Sequence, residues 1–371
     1  MKRKRLLCSC IVMLSLIIGD ITFVPEAVPA EKPAWQVDWD KTVAAAKQEG
    51  KLVIYTTGGS DLKGLIRDGL KKKFNISADF VSGRGAELAA KIAAERRAGL
   101  YLGDVYIGGA TTMITTLKPA GDLAPLPPQL VLPEVVDPKY YFDNRLPYTD
   151  KENKYVLVYG PAVANTVAVN TNLVKPREIT AYKDLLHPRW EGKIVMFDPT
   201  IPGTANEWFY VVAKKLGLDF HHQLVKQKPM VTRDKRLPGE WLSRGKSFIA
   251  LASSKESFAE FKRSGAPIEW VPTEEVTYLS GTGALALYDK APHPHAAKVF
   301  INWLMTRETL TKWSQESLMA TARRDVPQDF LEPESRRDPN KQYFDLNTEE
   351  STIEGKEYDK LAVQIYKPLL R

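Results

Sequence analysis

A run of apolar residues at positions 52–55 leads through a small polar loop into an amphipathic helix, which predicts a strand, a turn and a helix in that order. The loop reads Thr56-Thr57-Gly58-Gly59-Ser60. It therefore places backbone N–H groups and a hydroxyl at a helix N-terminus, where anions and polar ligands are attracted. No residue in the loop is a nucleophile beside an obvious base, so the unit is typical of a site that holds a ligand without transforming it.

Strands and helices alternate along most of the chain. The predicted strands include residues 76–81, 104–107, 155–158, 166–169, 193–197 and 248–251, and the predicted helices include residues 206–216, 239–244 and 296–305. Gly160 and Pro161 predict a turn between two of these strands. Residues 323–345 are charged and contain proline, which predicts a loop before a last amphipathic helix. The alternation predicts an α/β fold built around largely parallel sheets.

The first thirty residues have the order of a secretory signal peptide. Lys2-Arg3-Lys4-Arg5 precedes an apolar run at residues 6–18, and small residues follow near Val28-Pro29-Ala30. The apolar run is short for a membrane span, which needs about 20 residues. We therefore expect export to the periplasm with cleavage after Ala30, the alternative being an uncleaved anchor.

The composition excludes several classes of site from the rest of the chain. Both cysteines, Cys8 and Cys10, lie in the predicted leader, so the mature protein has no thiol, disulfide or cysteine metal site. Removing residues 1–30 takes away four basic and two acidic residues, and the net charge falls from +7 to +5. A mild basic excess spread along the chain does not predict nucleic-acid binding, although it helps to attract anions.

Four segments occur in an order that resembles a known family. They are residues 39–55, Gly103-Asp104-Val105, residues 188–194 with Asp198-Pro199, and residues 291–298. Over roughly residues 35–325 the chain resembles the extracellular solute-binding proteins of ABC importers, in the branch that includes ferric-iron, thiamine and phosphonate binders. The resemblance implies a type II-like periplasmic-binding-protein fold with two α/β lobes, crossing hinge strands, and a ligand cleft that closes about the hinge.

The resemblance also implies domain bounds and a site. Lobe 1 is expected at residues 31–160 with 277–310, lobe 2 at 161–276, and C-terminal helices with a charged tail at 311–371. Ligands of open α/β sheets bind at the carboxyl ends of the strands. The loops expected there carry the predicted ligand-binding residues Thr57, Gly58, Ser60, Arg84 and Gly109 in lobe 1, and Gly203, Thr204, Ser253, Ser254 and Lys255 in lobe 2.

Two of these residues are cations, which suits an anionic ligand. The guanidinium of Arg84 can bind a planar oxyanion through two hydrogen bonds, whereas the ammonium of Lys255 acts as a point charge. A carboxylate, phosphate or phosphonate is therefore expected, and Arg84→Ala or Lys255→Ala should weaken binding at least tenfold, about 1.4 kcal/mol. The alternative is that Gly83 and Gly85 are ordinary turn glycines and Arg84 is a solvated side chain.

Iron binders of this family carry adjacent tyrosines in the loop after the strand that matches residues 248–251. This chain has Ser253-Ser254-Lys255 there, so ferric iron or an iron chelate is the alternative cargo, and no metal site or cofactor is predicted. We expect Tyr140 and Tyr141 to pack in lobe 1, His293 and His295 to lead into a helix, and His221 and His222 to lie at the surface or cap a helix.

These observations predict a non-enzymatic protein that captures a small anionic solute, such as a phosphonate, phosphate ester or carboxylate. As a monomer, it would deliver the solute to ABC permease subunits in the inner membrane. Either Glu274 or Glu275 is a candidate partner for a substrate amine, unless both belong to a solvated acidic turn. A secreted hydrolase is the alternative from another class, but Gly58-Gly59-Ser60-Asp61-Leu62 lacks the final glycine of a nucleophile elbow.

Overall fold

The computed structural model describes residues 32–370 except 165, 254 and 255. For residues 176, 256, 274 and 282 it describes the backbone but not the side chain. The predicted leader, Ser254 and Lys255 thus lie outside the described residues. No helix within the described part of the chain has the length and apolar character that a membrane crossing requires.

Helices and strands alternate as the sequence predicts. The helices are α1 (Ala34–Glu49), α2 (Ser60–Phe74), α3 (Gly85–Arg97), α4 (Ala110–Thr112), α5 (Pro133–Val136), α6 (Thr204–Leu216), α7 (Leu218–Lys226), α8 (Leu237–Ser243), α9 (Glu256–Arg263), α10 (Pro294–Leu304), α11 (Arg307–Ser317) and α12 (Glu349–Tyr366). The strands are β1 (Lys51–Thr56), β2 (Ser77–Ser82), β3 (Val105–Gly108), β4 (Leu123–Ala124), β5 (Val156–Ala164), β6 (Val167–Asn170), β7 (Ile194–Phe197), β8 (Met230–Thr232), β9 (Ile249–Leu251), β10 (Ile268–Trp270), β11 (Tyr278–Tyr288) and β12 (Phe344–Asp345).

The first sheet has the strand order β12-β11-β3-β1-β2, and β4 and β5 also pair with β11. Strand β1 is parallel to β2 and to β3, and Thr56 is level with Ser82 on one side and Ile107 on the other. The three strands therefore end at the same edge. The apolar side chains of β1 and α10 fill the core behind this edge, where Ile54 and Phe300 are fully buried. We call this sheet and its helices lobe 1.

The second sheet has the order β10-β6-β9-β7-β8. Strand β7 is parallel to β8 and β9, and Phe197 is level with Thr232 at the end of β8. The carboxyl ends of these three strands again share one edge. Fully buried side chains of α6, including Trp208 and Phe209, pack into its core. We call this sheet and its helices lobe 2.

Strands β5 and β11 connect the two lobes. They pair antiparallel from Val156 and Ala286 in lobe 1 to Ala164 and Tyr278 at the start of lobe 2. The turn predicted at Gly160 and Pro161 is wrong, because β5 continues through both residues. The register with β11 shifts beside Gly160, and this local irregularity accommodates a proline, which cannot donate a ladder hydrogen bond.

Candidate ligand-binding site

Three loops form the rim of lobe 1 at the carboxyl ends of β1, β2 and β3. The Thr57 backbone N–H donates to the Ile107 carbonyl at 3.1 Å, and the Gly58 N–H donates to Thr56 Oγ1 at 2.9 Å. The Thr57 side chain lies so close to Gly108 that a Cβ at position 108 would overlap its Oγ1. These contacts bring Thr57, Gly58 and the neighbouring Gly109 together at one edge of the sheet.

The predicted residues Arg84 and Ser60 lie on the same rim. Arg84 directly precedes α3, its side chain is exposed, and its backbone N–H donates to Glu87 Oε2 at 3.0 Å. The Ser60 hydroxyl donates to Asp61 Oδ1 at 2.9 Å in the first turn of α2. Arg84 is therefore a cation beside a helix N-terminus, whereas the Ser60 proton is engaged within its own helix.

The rim of lobe 2 begins at the loop before α6. Gly203 has φ 135°, a backbone conformation that favours glycine, and Thr204 is the first residue of the helix. Ala252, which follows β9, is fully buried and also has a positive φ of 55°. The Ser253 hydroxyl donates back to the Leu251 carbonyl at 3.2 Å and is 3 % exposed, so its proton is directed into the lobe.

Arg233, a residue that the sequence reasoning missed, supplies a cation on this second rim. It follows β8, and its side chain is 62 % exposed. Its Nε donates to Oδ2 of the fully buried Asp198 at 2.7 Å, and Asp198 Oδ1 accepts the Thr200 N–H at 2.8 Å. The buried carboxylate thus holds the Nε end of the Arg233 guanidinium in place. The Nη groups of Arg233 have no protein partner among the described residues.

The first turn of α6 carries a carboxyl group with a perturbed pKa. Loss of hydration raises the pKa of Glu207 to about 7. The fully buried hydroxyl of Tyr278, on the hinge strand β11, has no hydrogen-bond partner within the described residues.

Glu275 Oε2 accepts the Tyr182 N–H at 2.8 Å, so this carboxylate binds the backbone of lobe 2. The Glu274 side chain lies outside the described residues.

The histidines and the tyrosine pair have structural partners. His293 Nδ1 lies 2.9 Å from Asp104 Oδ2 and His295 Nδ1 lies 2.8 Å from Glu49 Oε1, both at the start of α10 as predicted. Tyr141 is 1 % exposed and donates to the Val135 carbonyl, so it packs in lobe 1.

The surface prediction for His221 is wrong. It is fully buried between the Tyr366 hydroxyl and the Phe209 carbonyl, because the C-terminal helix covers α7. Its neighbour His222 is exposed. Within residues 32–370, leaving out the gaps, no three His, Cys, Asp or Glu side chains cluster closely enough to hold a metal ion.

Residues 66–342 match the model of a family described as bacterial extracellular solute-binding protein. The chain belongs to this family. The match confirms the resemblance inferred from the sequence segments. Among curated proteins, an uncharacterized protein of Haemophilus influenzae is 24% identical over 273 residues, covering 71% of this chain and 75% of its own.

Solved structures share the fold. The periplasmic binding protein AfuA from Actinobacillus pleuropneumoniae, with exogenous fructose-6-phosphate bound, has a TM-score of 0.61 at 21% identity, covering 86% of this chain and 99% of its own. Trichodesmium FutA (IdiA), in complex with iron and citrate, has a TM-score of 0.64 at 18% identity with the same coverage. The α/β fold class predicted from the sequence is therefore confirmed, with two lobes as in periplasmic binding proteins.

Proposed function

We propose that the protein captures a small anionic solute in the periplasm and delivers it to an ABC permease. The observation that carries the proposal is a pair of exposed guanidinium groups, Arg84 and Arg233, one at the carboxyl edge of each sheet. Each lies beside loops that lead into helices, where backbone N–H groups favour negative charge. Closure of the lobes about β5 and β11 would bring both cations onto one ligand.

The Nε end of the Arg233 guanidinium is held by Asp198, and this arrangement favours binding of an oxyanion such as a phosphate, phosphonate or carboxylate. With Nε committed to Asp198, the two Nη groups are available for a bidentate interaction. Hydrogen bonds to charged groups contribute about 1.5–3 kcal/mol each. A few of them, together with helix N-termini and exclusion of water, can supply the roughly −8 to −12 kcal/mol of a micromolar to nanomolar complex.

The ligands of the two structurally similar proteins indicate which solutes should be tested. AfuA binds a sugar phosphate, which agrees with a phosphate ester as the solute. FutA was solved with iron and citrate, so an iron chelate is the second candidate, with citrate as the group that the two arginines would bind. Thr57, Gly58, Gly109, Gly203 and Thr204 are proposed to contribute the surrounding amides and hydroxyls. Lys255 stays a proposal from the sequence alone.

The test is calorimetric titration of Arg84→Gln and Arg233→Gln with 2-aminoethylphosphonate, glucose 6-phosphate and citrate. Each variant should weaken binding of the preferred anion at least tenfold, about 1.4 kcal/mol. The matched control is Arg244→Gln, because Arg244 is 76 % exposed and pairs with Glu240 at the end of α8 away from the rim. The proposal is wrong if both rim variants bind the anion as tightly as the control does. Uptake of the radiolabelled solute in cells with and without the gene then tests delivery.

A further inference from the structure

The C-terminal helix α12 contacts lobe 1 near its start. Glu349 Oε2 lies 2.7 Å from Lys118 Nζ, and both side chains are only 14 % exposed. The Glu349 N–H donates to the Thr149 carbonyl at 2.8 Å, and Lys356 Nζ donates to Thr115 Oγ1 at 2.8 Å. All three partners belong to lobe 1, so the first two turns of α12 are held there by a half-buried ion pair and hydrogen bonds.

Other side chains of α12 contact lobe 2, from the second turn of the helix to its C-terminal end. Glu354 accepts a hydrogen bond from the Tyr210 hydroxyl at 2.7 Å and pairs with Lys214 Nζ at 2.6 Å, both on α6. Near the end of the helix the Tyr366 hydroxyl lies 2.9 Å from His221 Nδ1, and Tyr366 is fully buried in the core of lobe 2. One continuous helix therefore connects the two lobes independently of β5 and β11.

Helix α12 contacts two segments that begin at the rims: α4 with the π-helical turn that continues it, and α6. Thr115 lies in a π-helical turn, Met113–Leu117, and this turn continues α4, which starts directly after Gly109. Burial raises the pKa of the Asp359 carboxyl group of α12, and the amide of Asn206, in the first turn of α6, lies close enough to lower it. Asn206 Nδ2 in turn donates to the Pro199 carbonyl in the loop before that helix. Single π-helical turns occur frequently at functional sites.

We propose that α12 is a strap that sets the separation of the two rims. It is fixed in lobe 2 by burial of its C-terminal half, and it holds lobe 1 through Glu349 and Lys356. Parting the lobes on this side breaks the Lys118–Glu349 ion pair. Lys118 keeps its second partner, Glu152, within lobe 1, whereas the partly buried Glu349 carboxylate loses its cation, which is costly. The strap therefore restrains the distance between Arg84 and Arg233, whatever the chemistry of the solute.

The test measures the separation of the two rims directly, in the absence of a ligand. The only native cysteines, Cys8 and Cys10, are replaced by serine, and nitroxide labels are placed at Ala86→Cys and Lys235→Cys, exposed positions on the two rims. Double electron–electron resonance then compares the unchanged strap with a Glu349→Gln/Lys356→Met variant. We expect the variant to shift the mean distance by more than about 2 Å, the scale of a domain rearrangement.

The matched control is Glu308→Gln, which breaks an ion pair with Lys73 between α2 and α11, entirely within lobe 1. It should leave the distance distribution unchanged. Thermal unfolding establishes that each variant is folded, and Lys118→Met replaces the double variant if that chain does not fold. A strap variant with the distribution of the unmodified protein would overturn the proposal, and this outcome would leave the anion assignment untouched because no solute is present.

Discussion

His221 makes a specific prediction about acid stability. Its ring is fully buried, with Nδ1 2.9 Å from the Tyr366 hydroxyl and Nε2 3.1 Å from the Phe209 carbonyl. Burial lowers its pKa from 6.5 to about 3. Between these values the unfolded chain binds a proton that the folded chain does not, so folded-state stability falls as the pH falls.

The size of this stability change follows from the difference between the pKa values of His221 in the unfolded and folded chain. A shift of one pKa unit corresponds to about 1.4 kcal/mol. At pH 7 the histidine is neutral in both states, and at pH 5 it is protonated only in the unfolded chain. Lowering the pH from 7 to 5 should therefore remove about 2 kcal/mol of unfolding free energy through His221 alone.

The assay is urea unfolding from pH 5 to pH 8 of the wild type, His221→Gln and His222→Gln. Carboxyl groups also titrate in this range, so the informative quantity is the difference between proteins. We expect His221→Gln to be less stable at pH 7 but to lose about 2 kcal/mol less than the wild type on going to pH 5. The exposed His222 is the matched control and should leave the slope unchanged. Equal slopes for the wild type and His221→Gln would refute the reasoning.

Two backbone predictions concern the hinge and the rim of lobe 2. A Cβ at Gly160 would overlap the Trp313 indole, so Gly160→Ala should lower the unfolding free energy by about 1–3 kcal/mol; thermal unfolding that matches the wild type would contradict this packing. Ala252 has a φ of 55°, which costs about 1–2 kcal/mol for a residue with a Cβ. Ala252→Gly should therefore unfold at the same or a higher temperature, and a clear decrease would argue against the left-handed conformation.

The rim of lobe 1 could be predicted because its signals are local. The apolar run of β1 and the glycines of the following loop are contiguous in the sequence, and parallel register then aligns neighbouring loops. The turn at Gly160 and Pro161 was predicted wrongly because long-range pairing with β11 overrides the local turn preference.

Arg233 could not be found in the same way. Strand β8 has only three residues, Met230–Thr232, which is too short for a periodic pattern. The contact between Arg233 and Asp198 arises because Phe197 and Thr232 are level in adjacent parallel strands. Burial of His221 likewise depends on Tyr366, 145 residues further along the chain.

The most direct measurement is a thermal-shift screen of the protein with phosphonates, sugar phosphates, carboxylates, thiamine, and ferric iron with and without citrate. A ligand at about 100 times its dissociation constant adds about 2.7 kcal/mol of stability and raises the melting temperature. We expect an organic anion to raise the melting temperature without iron, and Arg233→Gln to reduce this shift. A shift with ferric iron alone, and none with any organic anion, would contradict the anion-binding function.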